Sequence, residues 1–297
     1  MPFGMINSGA TFSKMIKKLL HGLPDAHHYM DDVIISSENW EDHIATLRQL
    51  FIRLRTHHLT AKPEKCQFGY STLEFLGHVV GQDTIQTDPA KVKKVLSINK
   101  PSCKKTLRSF LGMIGYYSKF IPCYATLSAP LTDALKTGKP IKLNWTPAMQ
   151  DAYDQLKERL ASTPILHLPD FSKTFYLRTD ASDVGIAGCL FQNNDGQLFP
   201  VEFISKKLNN AEQRYSVTER ECLALVWSIQ KLQPYLYGSH FVLETDHAAL
   251  QYLNRAKLEN ARVMRWALLL QQYRFTVKAI KGSENFGADF FSRCLPC

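Results

Sequence analysis

The chain reads as a mixed α/β (α+β) protein, and three observations carry that reading. Residues 175–192, FYLRTDASDVGIAGCLFQ, form a strand, a turn and a second strand. Phe175 and Leu177 alternate with polar neighbours, Ala181-Ser182-Asp183 supply turn chemistry, and Ile186 and Leu190 resume an apolar run. Helical-period stripes recur elsewhere, as in Ile44, Leu47, Leu50, Phe51 and Leu54, or Leu107, Phe110, Leu111 and Ile114. The order after the hairpin is the third observation. A strand at Phe199–Ile204 and a long helix at Asn209–Gln233 lead to a strand at Phe241–Thr245, closed by Asp246. Helices at Ala248–Asn254 and Ala261–Gln272, a strand at Arg274–Ala279 and a last helix within 282–293 follow. That order describes a five-stranded mixed sheet with flanking helices.

The first part of the chain is read in the same way. Phe12, Met15, Ile16, Leu19 and Leu20 predict a helix with Ser8 or Thr11 as its cap and Gly22-Leu23-Pro24 as its stop. His28-Tyr29-Met30-Asp31-Asp32-Val33-Ile34-Ile35 follows as a hairpin with two carboxylates at its apex, and the Val-Ile-Ile run predicts that it is buried. Trp40–His57 is an amphipathic helix whose apolar stripe is core packing. Asp88-Pro89 opens a helix, Cys103–Tyr117 makes another, 136–140 is a loop, and Thr146-Pro147 caps a helix to about Leu160. Thr163-Pro164 to Asp170 is read as a boundary before the last domain.

With 297 residues, the chain has room for two or three domains. Apolar content of 45% and charged content of 21% exclude a disordered tail. No run approaches the roughly 18 apolar residues of a membrane span, and the start lacks a signal-peptide pattern. A net charge of +9 points to a polyanionic partner, with plain solubility as the other reading. The 7 scattered cysteines read as reduced intracellular thiols. Cys294 and Cys297 form a lone CxxC, too little for a zinc site.

Two groups of residues carry candidate chemistry. Asp180 closes the first strand of the opening hairpin. A lone Asp there is ordinarily a turn residue, but Glu219 or Glu221, Asp246 and Asp289 fall on three further elements and together make a metal site. Clustered carboxylates repel unless a cation neutralises them, and hard oxygen ligands suit Mg²⁺ or Mn²⁺. Periodicity does not decide between Glu219 and Glu221. Lys104, Lys105, Arg108 and Lys119, interleaved with Tyr116 and Tyr117, form either a nucleic-acid grip or a solvated basic face.

The motifs resemble a known family. PFG, a helix and YMDD (Asp31 and Asp32) are similar to the later palm motifs of retroelement reverse transcriptases, with a gypsy-like long-terminal-repeat flavour. Residues 59–68 look like the following palm strand, and 74–79 like the primer-grip hairpin. TDASDVG, RECLAL, ETDHAAL and NFGADFFSR each resemble a motif of retroelement ribonuclease H, in order. The resemblance implies a partial palm over 1–82, a thumb/connection over 83–168 and a ribonuclease H-like domain over 169–297. It selects Glu221 over Glu219 and makes Asp180, Glu221, Asp246 and Asp289 the catalytic carboxylates. Asp180, Glu221 and Asp246 would then hold one Mg²⁺ and Asp180 with Asp289 a second, with Mn²⁺ able to substitute. The implied reaction is two-metal cleavage of the RNA strand of an RNA–DNA hybrid, leaving 5′-phosphate and 3′-hydroxyl ends. It supports the grip reading of the basic residues, with primer–template nucleic acid as a further partner. No histidine lies between Phe275 and Asp289, where many relatives carry one, though gypsy-like members often lack it too.

The palm needs a further Asp upstream of PFG, and here PFG begins at Pro2. The expectation is that Asp31 and Asp32 bind metal weakly and that polymerase activity is absent in this chain alone. A catalytically dead nucleic-acid-binding remnant of a degraded element is the alternative. Dimerisation with other Pol chains stays open. No targeting signal is present, and the family default is cytoplasm or element particle.

Overall fold

In the computed structural model, residues 5–246 and 261–280 are described. The PFG motif at 2–4, the Ala248–Asn254 helix, Asp289 with the whole 282–293 helix, and the Cys294/Cys297 pair lie outside the described residues. The chain divides into two units, residues 1–70 and residues 71–297.

In the first unit, α1 (Ser8–Leu20) buries Ile16, Leu19 and Leu20 at helical spacing. Asn7 precedes it without a side-chain cap, so neither Ser8 nor Thr11 plays that part. A two-stranded hairpin follows, β1 (Ala26–Tyr29) and β2 (Asp32–Ile35), pairing Tyr29 with Asp32. α2 (Trp40–Thr56) starts at Asn39, whose side chain accepts from the Asp42 amide at 2.9 Å. Arg53 of α2 donates to the carbonyls of Leu19 and His21, both at 2.7 Å, and so closes the end of α1.

The unit's core is small, and it corrects three expectations. Ile16, Leu19, Leu20, Leu23 and Leu50 are buried, with Ala26, Ile35 and Leu54 packed against them. Only these hairpin residues reach that core. Tyr29 and Met30 are each 54% exposed and Val33 is exposed, so the hairpin is not buried. Phe51 is exposed too and meets Phe68 edge-on, which takes it out of the core stripe. No strand forms over 59–68. Pro63 lacks an amide donor and opens a single 3₁₀ turn, Pro63–Lys65.

The second unit opens with a four-stranded antiparallel sheet, β3 (Thr72–Phe75), β4 (His78–Gly81), β5 (Thr84–Thr87) and β6 (Leu166–His167). α3 (Pro89–Leu96) is capped by the Asp88 carboxylate, which accepts from the Ala90 amide at 2.8 Å. α4 (Lys104–Gly115), α5 (Tyr124–Leu127), α6 (Ala129–Ala134) and α7 (Pro147–Ala161) follow, with Thr146 capping α7 as expected. Leu107, Phe110, Ile114, Leu131, Leu156 and Leu160 form their core with Leu166 of β6. Within the expected boundary segment 163–170, Leu166–His167 forms β6 and pairs with β5.

The larger sheet has the order β11-β10-β7-β8-β9. β7 (Phe175–Ala181), β8 (Gly185–Asn194) and β9 (Gln197–Lys207) form an antiparallel meander, whereas β10 (His240–Thr245) and β11 (Arg274–Ala279) join β7 in parallel. Phe175 and Leu177 bury against Cys222, Leu225, Val226 and Ile229 of α8 (Val217–Lys231), with α9 (Gln233–Leu236) and α10 (Ala261–Leu270) alongside. α8 is shorter than the predicted Asn209–Gln233. Ser216 caps it, residues 212–214 form a separate 3₁₀ turn, and Pro234 lies in the first turn of α9. The sheet's other face is covered by 118–133. Cys123 packs on Ala187 and Cys189, the Ala125 amide donates to Ser205 Oγ at 2.9 Å, and Lys207 pairs with Asp133 at 2.6 Å.

Candidate active site

The β7–β8 turn fixes the first acid. Ser182 Oγ accepts from the Gly185 amide at 3.0 Å and donates to the Gly185 carbonyl at 2.9 Å, which holds the chain in a tight reversal. Asp180 sits just before it, paired with Ala187 of β8. At the turn's tip Asp183 forms an ion pair with Arg220 of α8, drawing the first half of that helix towards the hairpin.

Glu219 and Glu221 then part company. Glu219 Oε2 accepts from the Ser216 amide at 2.9 Å, and Oε1 pairs with Arg262 at 2.8 Å. It is the reciprocal half of a capping box. Glu221 lies instead within electrostatic reach of Asp180 and Asp246. The Ser216-Val217-Thr218-Glu219 pattern carries that distinction in the sequence, as a box signature that places Glu219 at the helix start.

Burial and mutual repulsion set the protonation of these acids. Burial, then Asp180 and Asp246, push the Glu221 carboxyl up to about 8, with a backbone hydrogen bond from Ala181 opposing the rise. Asp180 is raised by burial and by Asp246, again opposed by Ala181. A protonated or mutually repelling set of oxygens is what a divalent cation would relieve, so the donor chemistry fits Mg²⁺ or Mn²⁺. Among the described residues, no three His, Cys, Asp or Glu side chains stand close enough to form a ready-made metal cage.

Beside Asp180 and Asp246 lies an ion network that the sequence reading missed. Arg178 Nη2 is 2.6 Å from Glu244 Oε2, and Lys278 Nζ is 3.0 Å from Glu244 Oε1. Burial raises the Glu244 carboxyl, but Lys278 and Arg178 outweigh it and hold the group below its ordinary value. Charged residues at strand positions two before each candidate acid were the available signal.

The other candidates are distributed differently. Asp31 and Asp32 are exposed at the hairpin tip, and no cluster of three ligating side chains includes them among the described residues. Lys105 and Arg108 are exposed, while Lys104 Nζ donates to the Lys136 carbonyl at 2.8 Å. Tyr116 is 51% exposed and stacks on His78 with ring centroids 5.1 Å apart. Tyr117 is a correction: only 3% exposed, it is a core residue whose hydroxyl donates to the Gly77 carbonyl, so its ring is not offered to a ligand. Lys119 is half-buried over the Phe120 ring, and burial lowers its pKa.

Comparison with known proteins places this arrangement in a class. Residues 170–273 match the RNase H-like domain found in reverse transcriptase, and residues 1–80 match reverse transcriptase (RNA-dependent DNA polymerase). The fold is that of a reverse transcriptase joined to ribonuclease H. It aligns with the foamy viral protease-reverse transcriptase in complex with dsDNA at a TM-score of 0.82 and 22% identity, over 95% of this chain and 60% of that one. For the same viral protein in complex with an RNA/DNA hybrid the TM-score is 0.78, at 22% identity, over 95% and 39% of the two chains.

Over almost its whole length the chain is similar to Pol polyproteins of gypsy and other LTR transposons. It is 39% identical to the retrovirus-related Pol polyprotein from transposon 297 of Drosophila melanogaster, over 99% of this chain and 27% of that protein. The polyprotein from transposon gypsy of the same fly is 36% identical over 99% and 29%. The Schizosaccharomyces pombe Tf2-3 polyprotein is 34% identical over 99% and 22%. The chain thus spans between 22% and 29% of the length of these relatives.

Proposed function

We propose that the chain hydrolyses the RNA strand of RNA–DNA hybrids at Asp180, Glu221, Asp246 and Asp289. What supports this reading is that Glu221 feels the charges of both Asp180 and Asp246, and Asp180 that of Asp246, near one end of the mixed sheet. Two divalent ions, when bound, supply an activated water and stabilise the leaving 3′ oxygen of an in-line displacement. Asp180, Glu221 and Asp246 would hold one ion, and Asp180 with Asp289 the other. Loading requires Glu221 to release the proton that its surroundings retain. Selectivity for RNA rests on its 2′-hydroxyl and helix shape, and base preference is slight because phosphate contacts carry little sequence information. The net charge of +9 favours such a polyanion.

Cleavage of a labelled RNA–DNA hybrid with and without Mg²⁺, beside an Asp180→Asn control, tests this. Metal-dependent RNA cuts that vanish in the variant support the nuclease. Hybrid binding without cuts in Mg²⁺ or Mn²⁺ supports the second reading, a nucleic-acid-binding remnant. The open spacing of the acids among the described residues is the observation in its favour. For Asp31 and Asp32, exposure without a third acid beside them among the described residues supports weak metal binding and no primer extension by this chain alone. Robust DNA synthesis in a primer-extension assay would overturn that.

A further inference from the structure

The two strands that deliver Asp180 and Asp246 are parallel neighbours, so their register sets the spacing of the two carboxylates. β7 and β10 place Arg178 opposite Glu244, and β10 and β11 place Glu244 opposite Lys278. The three side chains occupy one level of the sheet. Arg178 Nε and Nη2 converge on Glu244 Oε2 at 2.7 and 2.6 Å, and Lys278 Nζ takes Oε1 at 3.0 Å. Both oxygens are therefore engaged. Arg178 and Glu244 are buried, and the guanidinium stands 5.3 Å over the Phe191 ring. Asp180 lies two residues further along β7 on the same facing as Arg178, and Asp246 follows directly on the end of β10, two residues beyond Glu244.

We propose that the Arg178–Glu244 pair is a register lock that positions Asp180 and Asp246 to bind a divalent cation. The inference rests on the nuclease reading of that site. Apolar neighbours such as Leu177 and Leu243 also face each other across these strands, but burial of methyl groups is non-directional and resists sliding weakly. A charged fork closed on a carboxylate is directional, and a slip by one residue would leave both charges buried and unmatched. The lock lies one level below two like charges that push the strand ends apart. Neither residue reaches the reacting atoms, so both are positioning residues.

The full chain carrying Arg178→Met together with Glu244→Gln tests the lock. Removing both charges leaves no orphaned ion between the strands, and Lys278 keeps a largely exposed side chain, so the fold is retained. Mg²⁺ and Mn²⁺ binding by calorimetry and hybrid cleavage are measured side by side. The expected result is a dissociation constant weakened about tenfold or more, with a matching loss of cleavage and unchanged circular dichroism. Arg178→Lys, which keeps the charge but loses the fork, is expected to fall between parent and double variant. It serves alone if the double variant does not fold. Ion affinity within about twofold of the parent in a folded variant overturns the lock, because positioning of ligands has to show in affinity. A parent that binds ions without cutting removes the nuclease chemistry but leaves the lock readable through affinity. A parent that neither binds nor cuts overturns both.

Discussion

The two acidic sites of this chain contrast in what surrounds them. Asp31 and Asp32 stand at the tip of a two-stranded hairpin with exposed side chains. Asp180 and Glu221 are half-buried, at the end of a five-stranded sheet whose core closes beneath them. Like charges 4 Å apart repel by about 1 kcal/mol in water and by several times that near protein. The hairpin pair faces solvent, whereas burial and neighbouring carboxylates raise the pKa of Asp180 and Glu221. Paired carboxylates become a site when their environment makes the bare charges costly.

The largest effect expected from that contrast is on cleavage. Asp180→Asn should lower metal-dependent cutting of the hybrid by about a hundredfold or more, while Asp31→Asn leaves it unchanged. Equal losses in the two variants would erase the distinction. Core truncation comes next. Leu225→Ala in the large sheet's core and Leu50→Ala in the first unit should each cost about 2–5 kcal/mol. With only five buried apolar residues in its core cluster among the described residues, the first unit makes Leu50→Ala the one that melts its unit at ambient temperature, read as lost hydrogen-exchange protection over 5–70.

A smaller effect concerns pH without metal. Glu221 keeps its proton to about 8 in the fold, against 4.5 in the unfolded chain, so stability falls as pH rises between those values. Glu221→Gln should remove that slope and raise metal-free stability at pH 8 by about 2 kcal/mol, measured by denaturant unfolding. His78 gives the smallest effect and the opposite sign. Burial, then Lys119 and Lys91, lower its pKa from 6.5 to about 4, so the fold favours the neutral ring and loses stability as pH falls from 6.5 towards 4. Its Nδ1 is buried without a hydrogen-bond partner and cannot place an added proton. His78→Phe should flatten the acid limb by about 1 kcal/mol, visible as a higher melting temperature at pH 5 than at pH 7 relative to the parent.

What was legible in the sequence followed from local chemistry. The Phe175–Gln192 hairpin, the Asp88 and Thr146 caps and the inward face of α4 are all encoded within a few residues. Burial of the YMDD hairpin was not, because Val33-Ile34-Ile35 declares strand preference but not what covers it. Tyr117 read as a surface aromatic, and only its approach to Gly77, 40 residues away, made it core. The start of α8 was misplaced although Ser216 and Glu219 announced it. Arg178 and Glu244, 66 residues apart, meet through parallel register, and the sequence shows only that each charge stands two residues before a candidate acid, not that the two pair.

The packing of 118–133 on the second face of the large sheet bears on how this stretch of genome can be cut and rejoined. A recombination joint at 168/169 would look clean on the page, since it falls between matched families. It would strip cover from Cys189, Phe191 and Phe203 and remove the Ala125 and Asp133 contacts to Ser205 and Lys207. The compact unit is longer than the matched RNase H-like stretch, and it begins at Ser71.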